Sequence, residues 1–498
     1  MCIRDRPDAI HRGGPTVKGL DLRPLAPAVI IAVTGLVVLL AQAFTPRGKS
    51  APSAPLSVAG LLAALAAVGI MAGGRGRGAV LAGTVAADDF ALFFHALILG
   101  IAILAVLFSP SYLRATGIDR GEYYALLLFS VVGMLGLVSC LELVSVFVAL
   151  EIMSVAVYAM AGLHRDRPES REASMKYFIT GAFSSAFFLY GVALLYGISG
   201  STWLMRIAPA LHPSSESAAL GVLGVALLLV GFGFKVASVP FHMWVPDVYE
   251  GAPTTVTALM SAGVKAAAFG AFLRVFLVPL ASVSGQWRPA VAVLAVVSMV
   301  VGNLGALAQT NLKRMLAYSS IAHAGYLLTA VVAAPGVAAE AVLFYLVAYA
   351  AVNLGGFGAL AALANREGRE PMALDDLAGL AERRPVLAAA LTVFLISLTG
   401  VPVSAGFVGK FYLFNAAVSA GYAGLAVVGV LMSVVSAYYY LRVVVVMYMR
   451  EPIAADTWAP VTGAASLALA LSAAVVLGLG VYPGPVLGWA RLAAQSLR

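Results

Sequence analysis

Ionisable residues lie inside apolar stretches at four positions of the sequence. Glu151 is in the middle of Val-Ala-Leu-Glu-Ile-Met-Ser, and Lys265 is in the middle of Ser-Ala-Gly-Val-Lys-Ala-Ala-Ala. Lys235 and Lys410 each lie close to a proline within a hydrophobic stretch. A charge at the centre of a bilayer costs roughly 2.5 to 3.5 kcal/mol on insertion scales, so such groups usually face a bundle interior and mark ion or proton pathways. These residue types therefore favour proton transfer across a membrane.

Each of these residues also has a structural explanation. A lysine near the end of a span can extend its ammonium group to the membrane surface, which would account for Lys235 or Lys410. Lys265 has more than one turn of apolar residues on either side, so this explanation fits it poorly. Glu151 can form a structural ion pair. Both the ion pair and a proton relay need a basic residue beside Glu151, and we predict that this residue is Lys235.

The predicted partners can act as a switch. Burial favours the neutral form of a lysine, whereas a nearby carboxylate favours the charged form. Movement of Glu151 toward or away from Lys235 is therefore expected to load or release a proton.

A second polar group lies between the two halves of the chain. Ser319 and His323 are one helical turn apart and are predicted to share a helix face, with Ser320 beside them. A buried neutral histidine can transfer a proton at physiological pH. The alternative is a histidine whose ring is simply hydrogen-bonded by a serine hydroxyl.

Further polar residues follow Pro240, the proline near Lys235. His242 lies two residues after it, and Asp247 and Glu250 follow within ten residues. The two carboxylates can gate a cytoplasmic mouth or merely lie in a solvated loop, and for Glu250 the loop is the favoured interpretation.

Composition places these residues in a membrane. Of 498 residues, 61% are hydrophobic and 11% are charged, whereas soluble domains carry about 25% charged residues. About 20 apolar residues are needed for a helix to cross the hydrocarbon core. The pattern predicts an all-α polytopic membrane protein with about fourteen spans, near residues 25 to 45, 55 to 73, 88 to 110, 122 to 140, 142 to 163, 174 to 198, 217 to 240, 253 to 278, 288 to 308, 313 to 334, 337 to 363, 384 to 418, 420 to 447 and 461 to 482.

Two spans are interrupted in the same way. Residues 231 to 240 and 398 to 410 each place a proline near a lysine, and proline breaks a helix. Corresponding breaks in two halves are typical of transporters built from repeats. The predicted organisation is a polar tail (1–24), three helices (25–120), a first repeat with helices 4 to 8 (121–280), a second repeat with helices 9 to 13 (286–450), and a last helix with its tail (451–498).

Charge and cysteine content exclude several functions. The net charge of +8 comes from basic residues in short loops, not from one patch, so nucleic-acid binding is not favoured. The distribution of Lys and Arg predicts that both termini lie outside. Cys2 and Cys140 are far apart and support neither a disulfide framework nor a cysteine-based metal or haem site. The first apolar run, 25 to 44, is interpreted as a retained helix, not a signal peptide.

Three motifs resemble the antiporter-like membrane subunits of respiratory complex I. They lie at residues 234 to 254, 317 to 326 and 406 to 414. The resemblance implies two inverted five-helix repeats, each with a broken helix, and one proton route. By matching position it implies proton translocation by Glu151, Lys235, Lys265 and Lys410, supported by Glu142, His242, Ser319, Ser320 and His323.

The same resemblance implies cofactors, partners and location. The chain is expected to hold no cofactor, neither flavin, iron–sulfur cluster nor NADH, and to use energy from quinone reduction in neighbouring subunits. Expected partners are the antiporter-like subunit M, the small subunits K and J, and the lipid of a bacterial inner membrane. A cation/proton antiporter of the Mrp type and a purely structural scaffold subunit are the alternatives.

Overall fold

A computed structural model describes residues 22–46, 51–74, 78–80, 83–211, 218–364, 370, 372–452, 458 and 460–497. We number the long helices by predicted span and give the two parts of a broken span the letters a and b. They are α1 Ala26–Phe44, α2 Ser53–Ala72, α3 Asp89–Ala115, α4 Gly121–Ser139, α5 Leu143–Ala161, α6 Pro168–Ser199, α7a Ala218–Val236, α7b Trp244–Gly251, α8 Thr254–Leu277, α9 Ser284–Leu307, α10 Leu312–Val331, α11 Pro335–Ala361, α12a Pro385–Thr399, α12b Ala405–Ser419, α13 Ala423–Met449, α14 Gly463–Val481 and α15 Gly484–Gln495.

Short elements connect some of these helices. Strands β1 Gly78–Val80 and β2 Val85–Ala87 form an antiparallel hairpin before α3. Single helical turns occur at Arg23–Leu25, Leu204–Ile207, Ala208–Ala210, Pro279–Val283, Leu374–Leu377 and Leu380–Arg383.

Twelve helices among the described residues are long and apolar enough to cross a membrane. The chain is a multi-pass membrane protein, and the predicted all-α polytopic class is confirmed. The count of fourteen is close to this number but is not confirmed, because the tenth and twelfth predicted spans are not among the twelve. The tenth, α10, carries Lys313, Arg314 and His323, and the twelfth is divided into two helices of 15 residues each.

Both predicted helix breaks are present. Helix α7a ends one residue after Lys235, and Ala237 then takes a left-handed conformation with φ of 66°. In the twelfth span, Gly400 and Val403 have φ of 90° and 68°, between α12a and α12b. Left-handed backbone cannot continue a right-handed helix. The two breaks therefore leave Lys235 in the last turn of α7a and Lys410 in the second turn of α12b.

The core is built around α8. All of its residues are buried, and it includes a π-helical turn at Met260–Val264. It packs against α3, α4 and α11. Other helices are much less buried. A third or fewer of the residues are buried in the apolar parts of α1, α2, α6, α13 and α14. Their outer faces are apolar and suit lipid or a neighbouring membrane subunit.

The predicted last region, 451–498, contains a second helix after α14. Residues Gly484–Gln495 form α15, which packs against α3 and α11. The ring of Trp489 packs against that of Phe93 of α3 in a tilted arrangement, with ring centroids 4.7 Å apart. The predicted division into two inverted repeats stays a prediction.

Candidate functional site

Lys265 lies in α8, which is the most completely buried of the long helices described. Lys265 itself is 2% exposed. Its Nζ donates hydrogen bonds to both the carbonyl oxygen and Oγ of Ser320, each at 2.6 Å, and lies 3.4 Å from the hydroxyl oxygen of Tyr349. The Tyr349 hydroxyl in turn donates to Ser320 Oγ at 2.9 Å. The lysine is therefore bound by α10 and α11 through neutral oxygen atoms.

His323 lies on the same helix as Ser320 and is buried. Its Nδ1 is hydrogen-bonded to the hydroxyl of Tyr345, and its Nε2 is 3.3 Å from the hydroxyl of Tyr440. Ser319, one turn away, is also hydrogen-bonded to Tyr440. The predicted shared face is confirmed, but the ring is bonded by tyrosines and not by a serine hydroxyl.

Lys410 is held by the end of the helix that precedes it. Its Nζ donates to the carbonyl oxygens of Leu398 and Thr399 at 2.9 and 3.0 Å and to Ser433 Oγ at 3.1 Å. The carboxyl end of a helix carries partial negative charge and favours a cation. The ammonium group also lies 4.8 Å from the centroid of the Tyr326 ring. The break in the twelfth span thus creates a binding place for a buried cation.

Lys235 is enclosed by α5 and by aromatic rings. Its Nζ donates to Ser154 Oγ at 2.8 Å and to the hydroxyl of Tyr158 at 3.0 Å. Lys235 and Lys410 are only 3% and 4% exposed. Neither lysine extends its ammonium group to the surface of the chain, so the surface explanation is wrong for both.

Glu151 does not form the predicted ion pair with Lys235. It is partly buried and accepts a hydrogen bond from Ser185 of α6. Lys235 instead contacts α5 at Ser154 and Tyr158, one and two turns beyond the glutamate. The prediction of direct partners is wrong for this conformation, because the spacing along α5 separates the two charges.

Two supporting residues lie apart from the buried lysines. Glu142 is the N-cap of α5 and accepts hydrogen bonds from the backbone of Val144 and Ser145 at 3.1 and 2.7 Å. His242 is partly buried in the connection between α7a and α7b. Neither residue has a described hydrogen bond or ion pair with a lysine, so the structure places both of them apart from Lys235, Lys265 and Lys410.

Asp247 and Glu250 are not in a solvated loop. Both belong to α7b, where Asp247 pairs with Lys176 at 2.6 Å and with Arg314 at 2.7 Å. Glu250 pairs with Arg314 at 2.8 Å. The loop interpretation of Glu250 is wrong, because a short helix follows the break and turns both carboxylates toward α6 and α10.

Sequence reasoning missed a polar link between α9, α10 and α13. Asn303 donates to the hydroxyl of Tyr326 at 3.2 Å and accepts from the hydroxyl of Tyr439 at 3.0 Å. The rings of Tyr439 and Tyr440 are adjacent, with centroids 4.4 Å apart. These side chains connect the surroundings of His323 with those of Lys410. An asparagine inside the apolar run of α9 was the signal that could have identified this link.

Sequence reasoning also missed Glu370. Its side chain is only 4% exposed and contacts Lys313, Tyr112 and Thr254. In the sequence it lies in a charged stretch that has the composition of a loop, so no local signal distinguishes it.

The surroundings of the buried lysines are suited to proton transfer, because titratable nitrogen atoms lie within hydrogen-bond distance of hydroxyl and carbonyl oxygen atoms. Lys235, Lys265 and Lys410 are each bonded to hydroxyl or carbonyl oxygens, and none has a described carboxylate partner. Among the described residues there is no cluster of three or more His, Cys, Asp or Glu that could hold a metal ion. Two broken helices that place lysines inside an apolar bundle define an antiporter-like membrane transport protein.

Comparison with known proteins agrees with this class. Residues 140–436 match the family described as NADH:quinone oxidoreductase/Mrp antiporter, TM. NADH-quinone oxidoreductase subunit N of Trichlorobacter lovleyi is 44% identical over 96% of this chain and 98% of its own length. The chain therefore belongs to the NADH:quinone oxidoreductase/Mrp antiporter family, in the group of NADH-quinone oxidoreductase subunit N.

Solved structures show the same architecture. A chain of respiratory complex I from Thermus thermophilus is 37% identical, with a TM-score of 0.79 over 93% of this chain and 98% of that chain. A chain of the Mrp complex from Dietzia sp. has a TM-score of 0.82 over 96% of this chain and 97% of that chain, at 22% identity. The second likeness shows the fold alone.

Proposed function

We propose that this chain is the proton-translocating subunit N of the membrane arm of NADH-quinone oxidoreductase. The observation that carries the proposal is the burial of Lys235, Lys265 and Lys410 within one bundle whose near relatives are named as that subunit. Buried ionisable groups are costly in a membrane and mark ion or proton pathways. The chain is then part of the translocating enzyme while holding no redox cofactor itself.

The proton route in this proposal passes through the middle of the bundle. Lys265 is the central carrier, because Ser320 and Tyr349 hold it next to the surroundings of His323. The two rings of His323 and Tyr349 lie 5.3 Å apart. Tyr440, Tyr439, Asn303 and Tyr326 then continue toward Lys410, and Glu151 and Lys235 load or release protons in the first repeat. Glu142 and His242 act only indirectly in this proposal, through the positions of α5 and α7b.

Energy reaches this route from outside the chain. Quinone reduction in neighbouring subunits changes the charge next to Glu151 or Lys235, and a change in charge alters the proton affinity of a buried lysine. The proposed neighbours are subunits M, K and J in a bacterial cell membrane, with both termini of this chain on the outer side. The outward apolar face of α5 beside Glu151, with Val148 and Ile152 both more than 40% exposed, suits a neighbouring subunit.

The test is Lys265→Ala in the intact complex reconstituted into vesicles. We expect proton pumping per NADH oxidised to fall several-fold, because the central carrier is lost, while electron transfer to an artificial acceptor is largely retained. Arg171→Ala is the matched control, since Arg171 is exposed in the first turn of α6 and has no described side-chain hydrogen bond or ion pair. Unchanged pumping by the Lys265 variant contradicts the proposal and favours a scaffold. Sodium-dependent proton transport by the isolated chain favours an antiporter of the Mrp type.

A further inference from the structure

Glu370, which lies between α11 and α12a in the chain, is a buried carboxylate outside the proposed route. Glu370 accepts hydrogen bonds from the hydroxyls of Tyr112 and Thr254 and pairs with Lys313 at 3.3 Å. Arg167 lies 3.8 Å away. The side chains of Glu370 and Lys313 are 4% and 3% exposed. An ion pair this deep needs good hydrogen-bond geometry to offset its desolvation, which the two hydroxyls supply.

Glu370 lines a polar cavity at the end of the bundle where the basic loops lie. The cavity has a volume of about 480 Å³, and its charged and titratable lining consists of Glu370, Lys313, Arg167, His164, Glu169, Glu250 and Tyr112. Its size and its polar lining suit water molecules, which need several polar partners. The residues directly before α8 form part of the wall of this cavity, since Ala252 and Pro253 also line it.

A row of hydroxyl groups leads from this cavity along α8. Thr254, Thr257 and Ser261 precede Lys265 at spacings of three, four and four residues, which place them on one face of the helix. All four are buried, within a helix whose only other strongly polar residues are Thr255 and Arg274. At 1.5 Å per residue the row covers about 16 Å.

Each hydroxyl in the row has a defined donor bond. Thr254 donates to Glu370, Thr257 donates to the carbonyl oxygen of Tyr249 at 3.0 Å, and Ser261 donates to the carbonyl oxygen of Ala258 at 3.0 Å. Every hydroxyl oxygen keeps an acceptor position open, because a hydroxyl has one donor and two lone pairs. Neighbours one turn apart on a helix are about 5–6 Å apart at Cβ, a gap that one water molecule bridges.

We propose that the cavity and this row of hydroxyls form the entrance through which Lys265 is loaded, with Glu370 as the first proton acceptor. The proposal rests on the proposed function, in which Lys265 carries the proton. A hydronium ion in the cavity gives its proton to the Glu370 carboxylate and becomes water. Each hydroxyl and bridging water then accepts one proton and passes one on, and the neutral amine of Lys265 takes the last one. Glu370 returns to the carboxylate, and its ion pair with Lys313 re-forms.

The surroundings of Glu370 favour the ionised form of its carboxyl group, so that a bound proton is readily released. Desolvation raises the pKa of Glu370, but the charge of Lys313 and the hydroxyls of Thr254 and Tyr112 lower it more, so that its pKa lies below the usual 4.5. Lys313 also donates to the carbonyl oxygen of Ala252 at 2.8 Å, so it keeps a partner while Glu370 is protonated.

The experiment measures proton pumping per NADH oxidised and electron transfer in the intact complex in vesicles. We expect Glu370→Gln and Ser261→Ala each to reduce pumping several-fold with electron transfer to an artificial acceptor retained. Ser261→Ala removes one oxygen atom and leaves the Glu370 ion pair intact, so it tests the route even where Glu370→Gln weakens assembly. Glu382→Gln is the control, an exposed carboxylate later in the same connection, and it should pump as the native complex does.

The outcomes separate this proposal from the one on which it rests. Normal pumping by the Ser261→Ala variant, together with impaired pumping by the Lys265→Ala variant, overturns the entrance and leaves the proton-translocating function in place. Normal pumping by Lys265→Ala overturns the function itself. Loss of pumping in Ser261→Ala and Lys265→Ala, with the Glu382 control unaffected, supports the entrance.

Discussion

At the scale of single residues, three of the buried lysines, Lys235, Lys265 and Lys410, share one kind of environment. Ser320 and Tyr349 bind Lys265, Ser154 and Tyr158 bind Lys235, and two helix carbonyls bind Lys410. A carboxylate partner strongly favours the charged form of a lysine, whereas neutral oxygen atoms favour it less. These environments therefore satisfy the ammonium protons and still allow one of them to leave when a nearby charge changes.

Glu142 shows that an acidic residue next to a span can have a structural role. Its carboxylate binds two backbone N–H groups in the first turn of α5. Removal of an N-cap side chain typically costs about 1 kcal/mol. We expect Glu142→Ala to lower the thermal unfolding temperature of the purified complex and to speed hydrogen exchange in the first turn of α5.

The control for this prediction is Glu122→Ala. Glu122 is exposed in the first turn of α4 and has no described side-chain hydrogen bond or ion pair. Equal effects of the two variants on hydrogen exchange would show that the cap of α5 contributes nothing specific.

At the scale of elements, the break between α12a and α12b decides where Lys410 lies. Gly400 has φ of 90°, and a Cβ at this position would lie 3.1 Å from Cδ of Lys410. Alanine in this conformation is strained, which costs of the order of 1 kcal/mol or more. We expect Gly400→Ala to destabilise the break and also to displace Lys410 from the carbonyls of Leu398 and Thr399, which reduces proton pumping.

Gly421→Ala provides the comparison for this prediction. Gly421 has φ of 83° between α12b and α13, and a Cβ there meets no atom within 4 Å. The backbone strain is similar, but no lysine is moved. If both variants lose pumping to the same extent, the position of Lys410 does not depend on Gly400.

At the scale of the whole molecule, charged residues tie α6, α7b and α10 together at one end of the bundle. Asp247 accepts from Lys176 and from Arg314, and Arg314 also pairs with Glu250. Desolvation raises the pKa of Asp247, but Lys176 and Arg314 lower it more, so that its pKa lies below the usual 3.8. A carboxyl group with a lower pKa in the folded state stabilises that state above its unfolded pKa, and this contribution is lost as the pH falls through the folded value.

We therefore expect Asp247→Asn to lower the unfolding temperature of the complex near neutral pH. The difference from the native complex should shrink once the pH falls below 3.8. The comparison is Asp375→Asn, which removes a single exposed partner of Arg450 and should have a smaller effect. A difference for Asp247→Asn that grows as the pH falls would contradict the assigned direction of the pKa.

Other features of the whole molecule could be predicted because they depend on local chemistry. Apolar length sets the membrane spans, and proline with left-handed backbone ends a helix, so the breaks near Lys235 and Lys410 were identifiable. The burial of Lys265 followed from its distance to either end of its span. These properties belong to one segment at a time.

The partners of the buried groups were decided only by the tertiary structure. Lys235 is bonded to Ser154 and Tyr158 and not to Glu151, because the packing of α7a against α5 places its ammonium group one to two turns beyond the glutamate. Glu370, 57 residues beyond Lys313 in the chain, is buried against it in the tertiary structure. The sequence by itself determined which residues are costly to bury. Only the packing of distant segments determined which oxygen atoms offset that cost, because hydrogen bonds form between atoms that are close in space, whatever their separation in the sequence.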